Sequence, residues 1–155
     1  MNISERDITP AELESIYDDF RNIEIADGVP QRKTERYQYV FEENGAVIGY
    51  VSGITEHKWF YLTDLWVEES YRRQGLGTRL LNMIEQKASD VGMEHIYLWT
   101  SGFINPLFYE KLGYIRFTVL EDKYEVEGYH QTGYRKDIIA ARETAPDEPK
   151  ITVHK

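Results

Sequence analysis

The sequence predicts an α/β chain, and three patterns carry that reading. An amphipathic helix opens the chain, and runs rich in β-branched and aromatic residues follow it. Between two of these runs a glycine loop leads into a second helix with an apolar stripe. The chain has 155 residues, which at roughly 100 to 200 residues per domain argues for one core. We assign residues 1–139 to that domain and residues 140–155, with Pro146 and Pro149 among charges, to a C-terminal tail.

Thr9-Pro10-Ala11-Glu12 joins a hydroxyl N-cap, proline in the first turn and glutamate at the third helical position. With Leu13, Ile16, Tyr17 and Phe20 at helical spacing, it predicts a helix from about Pro10 to Arg21, and Gly28 and Pro30 then mark a loop. Tyr37 to Phe41 and Ala46 to Ile54 flank Asn44-Gly45, the pair suited to a tight hairpin turn with positive φ at both central residues. Trp59 to Val67 is more continuously apolar, as a strand near the middle of a sheet should be. Leu76, Leu80, Leu81, Ile84, Ala88 and Val91 form the stripe of a helix laid on a sheet, with Gly92 as its cap. His95 to Thr100 is a further strand. Asn105-Pro106 opens a short helix that Gly113 ends, and Tyr114 to Leu120 and Tyr129 to Ile139 are the last two strands.

Lys and Arg number 18 against 27 Asp and Glu, a net charge of −9. That balance disfavours nucleic acid or an anionic membrane as partner and favours cationic small molecules. With no cysteine, a thiol nucleophile, a thiolate zinc site and an iron–sulfur cluster are excluded, and a reducing compartment fits. The histidines His57, His95, His130 and His154 are scattered, so we expect no metal. No signal-peptide pattern or long apolar stretch is evident, and the expectation is a soluble cytoplasmic protein. An edge strand such as Tyr129 to Ile139 would invite pairing with a second copy, a route to a homodimer.

The chemistry concentrates between Trp59 and Val91. Gly75 and Gly77 let backbone amides approach a ligand, and the free amides of a helix start favour a diphosphate. Arg72, Arg73 and Arg79 add positive charge. The loop is neither a Walker A motif, since no Gly-Lys-Ser or Gly-Lys-Thr follows, nor a dinucleotide fingerprint, since the third glycine is missing.

Three segments in this order, Leu65-Trp66-Val67, Arg72-Arg73-Gln74-Gly75-Leu76-Gly77-Thr78 and Phe108-Tyr109-Glu110-Lys111-Leu112-Gly113-Tyr114, resemble the GNAT superfamily of N-acetyltransferases. The resemblance covers about residues 2–139. It implies a central mixed, mostly antiparallel sheet flanked by helices and splayed between the fourth and fifth strands, with acetyl-coenzyme A in the cleft. It also implies that Leu65, Trp66 and Val67 pair with the pantetheine arm, that Arg72, Arg73, Gln74, Gly75, Leu76, Gly77 and Thr78 hold the pyrophosphate, and that Tyr109 protonates the departing thiolate. Where many members carry Asn and Ala, Gly102 and Asn105 stand here, which leaves Asn105 as a helix cap.

Acetyl transfer to an amine needs a neutral nucleophile, help for the carbonyl oxygen and a proton for the leaving sulfur. A backbone N–H near Val67 suits the second task and Tyr109 the third. Asp64 is the candidate base, with His57 as the alternative. Strict alternation would let only one of Thr63 and Asp64 face the cleft. Glu68 and Glu69 read as solvated loop charges. The acidic and aromatic Tyr17, Asp18, Asp19, Phe20, Glu24 and Asp27 would suit a cationic amine. The function expected is acetyl transfer from acetyl-coenzyme A to a primary amine of a small molecule by direct transfer in a ternary complex. A catalytically idle acyl-coenzyme A sensor, or an enzyme acting on a protein or peptide amine, is the alternative.

Overall fold

The structure, a computed structural model, describes residues 1–103 and 107–138. The expected cap at Asn105 and the tail at 140–155 lie outside the described residues. The chain divides into two compact units, Met1–Lys33 and one that starts at Thr34.

The first unit is built on α1 (Pro10–Ala26). Glu12 N donates to Thr9 Oγ1 at 3.3 Å while Thr9 N donates to Glu12 Oε2 at 2.9 Å, the reciprocal box that the sequence announces. The helix continues to Ala26 rather than stopping near Arg21, because no breaker intervenes before Asp27 and Gly28, whose φ is 81°. None of its residues is buried.

In the second unit β1 (Arg36–Glu43) and β2 (Ala46–Glu56) form the hairpin around Asn44 and Gly45, with φ of 50° and 76°. Then come β3 (Trp59–Val67), α2 (Leu76–Asp90), β4 (His95–Gly102), α3 (Leu107–Lys111), β5 (Ile115–Leu120) and β6 (His130–Asp137). The sheet order is β1-β2-β3-β4-β6-β5. Only β3 and β4 run parallel, as the α2 crossover between them requires. Leu80, Leu81, Ile84 and Ala88 of α2 are fully buried with Val51, Phe60, Leu62, Ile96, Leu98 and Tyr134 of the sheet. Each such aliphatic side chain contributes roughly 1.5–3 kcal/mol relative to exposure.

Three features of the sheet differ from the expectations. First, the strand expected from Tyr129 onward is not an edge: β6 lies between β4 and β5, and the edge strands are β1 and β5. Second, β4 and β5 both flank β6 and are not neighbours, so the parting cannot lie between the fourth and fifth strands of this chain. It lies between β3 and β4, whose pairing stops at Leu62↔Leu98 although both strands continue.

Third, strict alternation fails in β3. The β2–β3 register passes from Gly53↔Leu62 to Ser52↔Asp64, which leaves Thr63 as an extra residue in a bulge. Before it Phe60 and Leu62 are buried. Beyond it Leu65 and Val67 turn to the core while Asp64 and Trp66 are exposed. The bulge falls where the β3–β4 pairing ends.

Candidate active site

The chain leaves β3 through a short 3₁₀ turn, Glu69–Tyr71, before α2. Glu68 is a structural cap rather than a solvated charge. Its N–H donates to Ile48 O at 2.9 Å and its carboxylate accepts from Ser70 N at 2.9 Å and from the Ser70 hydroxyl. The Tyr71 hydroxyl donates to the Glu43 carboxylate, which raises the phenol's pKa. Arg73 and Gly75 then adopt φ of 62° and 81°, the left-handed region. This turns the backbone so that α2 begins without any side-chain cap. Arg79 N is the first amide that reaches back to a carbonyl, that of Gly75 at 3.0 Å. The N–H groups of residues 73–78 have no acceptor among the described residues.

These amides border a pocket of about 490 Å³ lined by Leu65, Val67, Arg72, Arg73, Gly75, Gly77, Thr78, Phe108 and Tyr109. Gln74 and Leu76 line neither this pocket nor the next. Gln74 Nε2 instead donates to Ser70 O at 3.2 Å. Arg79 turns away, its guanidinium 4.9 Å from the Phe41 ring centroid. A Cβ built on Gly77 would stand 3.6 Å from Phe108 and 3.8 Å from Val67, both in the pocket wall. Unused amides at a helix start, two guanidinium groups and a glycine cradle fit a diphosphate. The apolar wall of Leu65, Val67 and Phe108 fits a chain-like arm. Beyond Leu62 no ladder joins β3 to β4, so backbone groups on that side of β3 are free for a ligand.

A second cavity of about 310 Å³ opens along the parting, lined by Tyr50, Leu62, Thr63, Asp64, Leu65, Trp66, Leu98, Trp99, Thr100, Ser101 and Tyr109. Thr63 and Asp64 both border it, because the bulge breaks the alternation that would have separated them. Trp66 lies here and not in the first pocket. His57, in the turn before β3 with φ of 57°, lines neither cavity.

Leu65 and Tyr109 line both cavities. Tyr109 is held by rings on three sides: Phe108 at 4.9 Å, Tyr114 at 5.6 Å and Tyr134 at 5.6 Å between centroids. Burial pushes its pKa up to about 12. Behind it Tyr114 Oη donates to Glu85 Oε1 at 2.9 Å, and Lys136 Nζ donates to Glu85 Oε2 at 2.9 Å.

Sequence reasoning had not assigned Tyr50, Phe108, Thr100 or Ser101 to the site. Phe108 stands beside Tyr109 in the motif and could have been found there. Tyr50 enters only because β2 sets it directly opposite Trp66, and Thr100 and Ser101 only because β4 stands across the parting.

The chain matches the family model described as Acetyltransferase (GNAT) family over residues 2–114. It is 32% identical over 77 residues to a blasticidin-S acetyltransferase from Streptomyces morookaense, a match that spans 49% of this chain and 57% of that relative's length. Its structure is similar to that of an acetyltransferase from Bacillus cereus ATCC 14579, at 30% identity and a TM-score of 0.74, covering 87% of this chain and 97% of the other. In fold it also resembles an aminoglycoside 6′-N-acetyltransferase complexed with coenzyme A, at 24% identity and a TM-score of 0.60, covering 95% and 100% of the two chains. The splayed sheet, the open amide loop at the start of α2 and the match over residues 2–114 agree, and the chain belongs to the GNAT family of acetyltransferases.

Proposed function

We propose that this acetyltransferase moves acetyl from acetyl-coenzyme A to the primary amine of a small molecule, directly and within a ternary complex. The observation that carries the reading is the pair of adjoining cavities that share Leu65 and Tyr109 as their common wall. One has free amides and arginines, and the other is polar, aromatic and small. A donor in the first and an amine in the second would meet at Tyr109, which satisfies the proximity that direct transfer needs. The cavity of about 310 Å³ suits a small acceptor better than a protein segment. The family match covers residues 2–114 of the 1–139 that we assign to the acetyltransferase domain. A reducing compartment such as the cytoplasm suits a chain without cysteine.

In this reading Arg72, Arg73 and the N–H groups of residues 73–78 hold the diphosphate of the donor, which when bound supplies the acetyl thioester. Leu65, Val67 and Phe108 line the path of its arm. Asp64, exposed in the second cavity, takes a proton from the incoming ammonium, directly or through water, and leaves a neutral nucleophile. A carbon–nitrogen bond forms, the carbon–sulfur bond breaks, and the amine's remaining surplus proton ends on sulfur. Tyr109 keeps its proton throughout the physiological range and so donates a hydrogen bond to the departing sulfur. An ordinary thiol has a pKa near 8.5, so a phenol near 12 gives its proton up at a cost of about 1.4 kcal/mol per unit of mismatch. Tyr109 therefore works as a relay, regaining from the amine what it passes on.

The test is release of free coenzyme A with a panel of primary amines. Wild type should turn over at least one. Asp64→Asn should lower kcat/KM most at low pH, where the ammonium form dominates. Cofactor binding without turnover of any amine, peptide or antibiotic would overturn the reading.

A further inference from the structure

Asp64 lines the second cavity and Arg36 stands behind its wall, bonded to the lining residue Thr63; among the described residues these two opposite charges pair neither with each other nor with another charged group. Arg36, on β1, reaches across β2. Its Nη1 donates to Ser52 Oγ at 2.7 Å and to Thr63 Oγ1 at 3.2 Å. Ser52 is fully buried, so the guanidinium is anchored on the sheet rather than waving in solvent. Thr63 is the bulged residue and borders the cavity. Among the described residues no carboxylate pairs with Arg36, although the chain carries 27 acidic residues against 18 basic ones. Asp64 lies directly across from that same Ser52 in the β2–β3 register, borders the cavity and has no cationic partner among the described residues. Gln38 Nε2 donates to Tyr50 Oη at 2.7 Å and holds the next wall residue in the same belt.

Among the described residues only Nη1 of Arg36 is engaged. Its other N–H groups are left in the planar fork that matches a carboxylate with two parallel hydrogen bonds. A second ammonium placed there would be repelled. Building on the acetyl-transfer reading above, we infer that the acceptor is zwitterionic: its amine lies between Asp64 and Tyr109, and a carboxylate of the same molecule is held by Arg36.

The test compares amino acids with the amines that remain when the carboxylate is removed: lysine with cadaverine, ornithine with putrescine, tyrosine with tyramine. Coenzyme A release is measured for wild type, Arg36→Met and Arg36→Lys, together with coenzyme A affinity and melting temperature. Wild type should prefer the acid in at least one pair by about tenfold or more, the range of a hydrogen bond between charged groups. Arg36→Met should erase that preference by raising the acid's KM and leave the amine's KM and coenzyme A affinity unchanged. Arg36→Lys, which keeps the charge without the fork, should fall between. If wild type shows no preference for any acid, or if Arg36→Met weakens both members of a pair equally, Arg36 only props the bulge and the inference is overturned. Should no compound be turned over while coenzyme A binds, the acetyl-transfer reading fails instead. Calorimetric titration of the same pairs into the coenzyme A-loaded protein then decides: an amino acid bound by wild type and lost in Arg36→Met supports the inference. Equal binding, or none, overturns it.

Discussion

Arg72 Nε donates to the carbonyl oxygen of Val67 at 2.9 Å. The bond ties the first residue after the 3₁₀ turn to the last residue of β3. It holds the open amide loop against the strand that forms the other wall of the same pocket. Arg72 thus has two tasks, closing the turn and supplying charge. Arg72→Ala should weaken coenzyme A binding by tenfold or more, as expected when a charged hydrogen-bonding group is removed. Calorimetry with free coenzyme A checks this, and unchanged affinity would refute the placement of the diphosphate.

Gly77 should show opposite effects on stability and binding. It sits in the first turn of α2, where alanine is favoured over glycine by roughly 0.5–1 kcal/mol. The added methyl meets Phe108 and Val67 only at ordinary contact distance. Gly77→Ala is therefore expected to raise the melting temperature slightly while it weakens coenzyme A binding, because the methyl occupies the cradle. A thermal melt and a binding isotherm on one preparation separate the two.

Tyr109→Phe keeps the ring contacts with Phe108, Tyr114 and Tyr134 and removes only the hydroxyl. The expected result is a fall in kcat of roughly a hundredfold or more with coenzyme A affinity within twofold of wild type. A sensor would have no turnover to lose, so the same variant distinguishes that alternative.

Alkali should unfold this protein in a defined window. Burial raises Tyr109 to about 12, and burial with the neighbouring Glu85 raises Tyr114 well above its usual value. Unfolded tyrosine titrates near 10. The folded state thus keeps protons that the unfolded chain releases, and stability is unaffected below about pH 10 and falls as pH rises toward 12. For Tyr109 alone the loss is about 2–3 kcal/mol across that window. In denaturant melts the stability difference between wild type and Tyr109→Phe should be constant below about pH 10 and shift against wild type by that amount as pH rises toward 12. Parallel curves would contradict the burial of the phenol.

Gly53 tests the sheet itself. A Cβ there would lie 2.1 Å from Phe60 Cε1 and 2.8 Å from Tyr61 O, and Phe60 is fully buried. Neither ring nor backbone can yield without disturbing the bulge beside it. Gly53→Ala should cost about 3 kcal/mol or more, at the upper end of overpacking. It should lower the melting temperature by roughly 2–4 °C per kcal/mol.

The features legible in the amino-acid order are local. Thr9 and Glu12 cap a helix, Asn44-Gly45 takes two positive φ values, and the α2 stripe is read from its period, because each depends on residues within one turn of each other. The loop from Arg72 to Thr78 was legible for the same reason: glycine freedom and a helix start are written in adjacent residues. Tertiary structure decided what depends on pairing across distance. It set β6 inside the sheet rather than at its edge, since strand order follows from which faces must be covered and not from any one strand's composition. It placed the bulge at Thr63, so that Asp64 and Thr63 border one cavity, because a register slip is a property of two strands together. It also brought Arg36 over Ser52 and Tyr109 to the junction of two cavities, contacts between segments that no local spacing could announce.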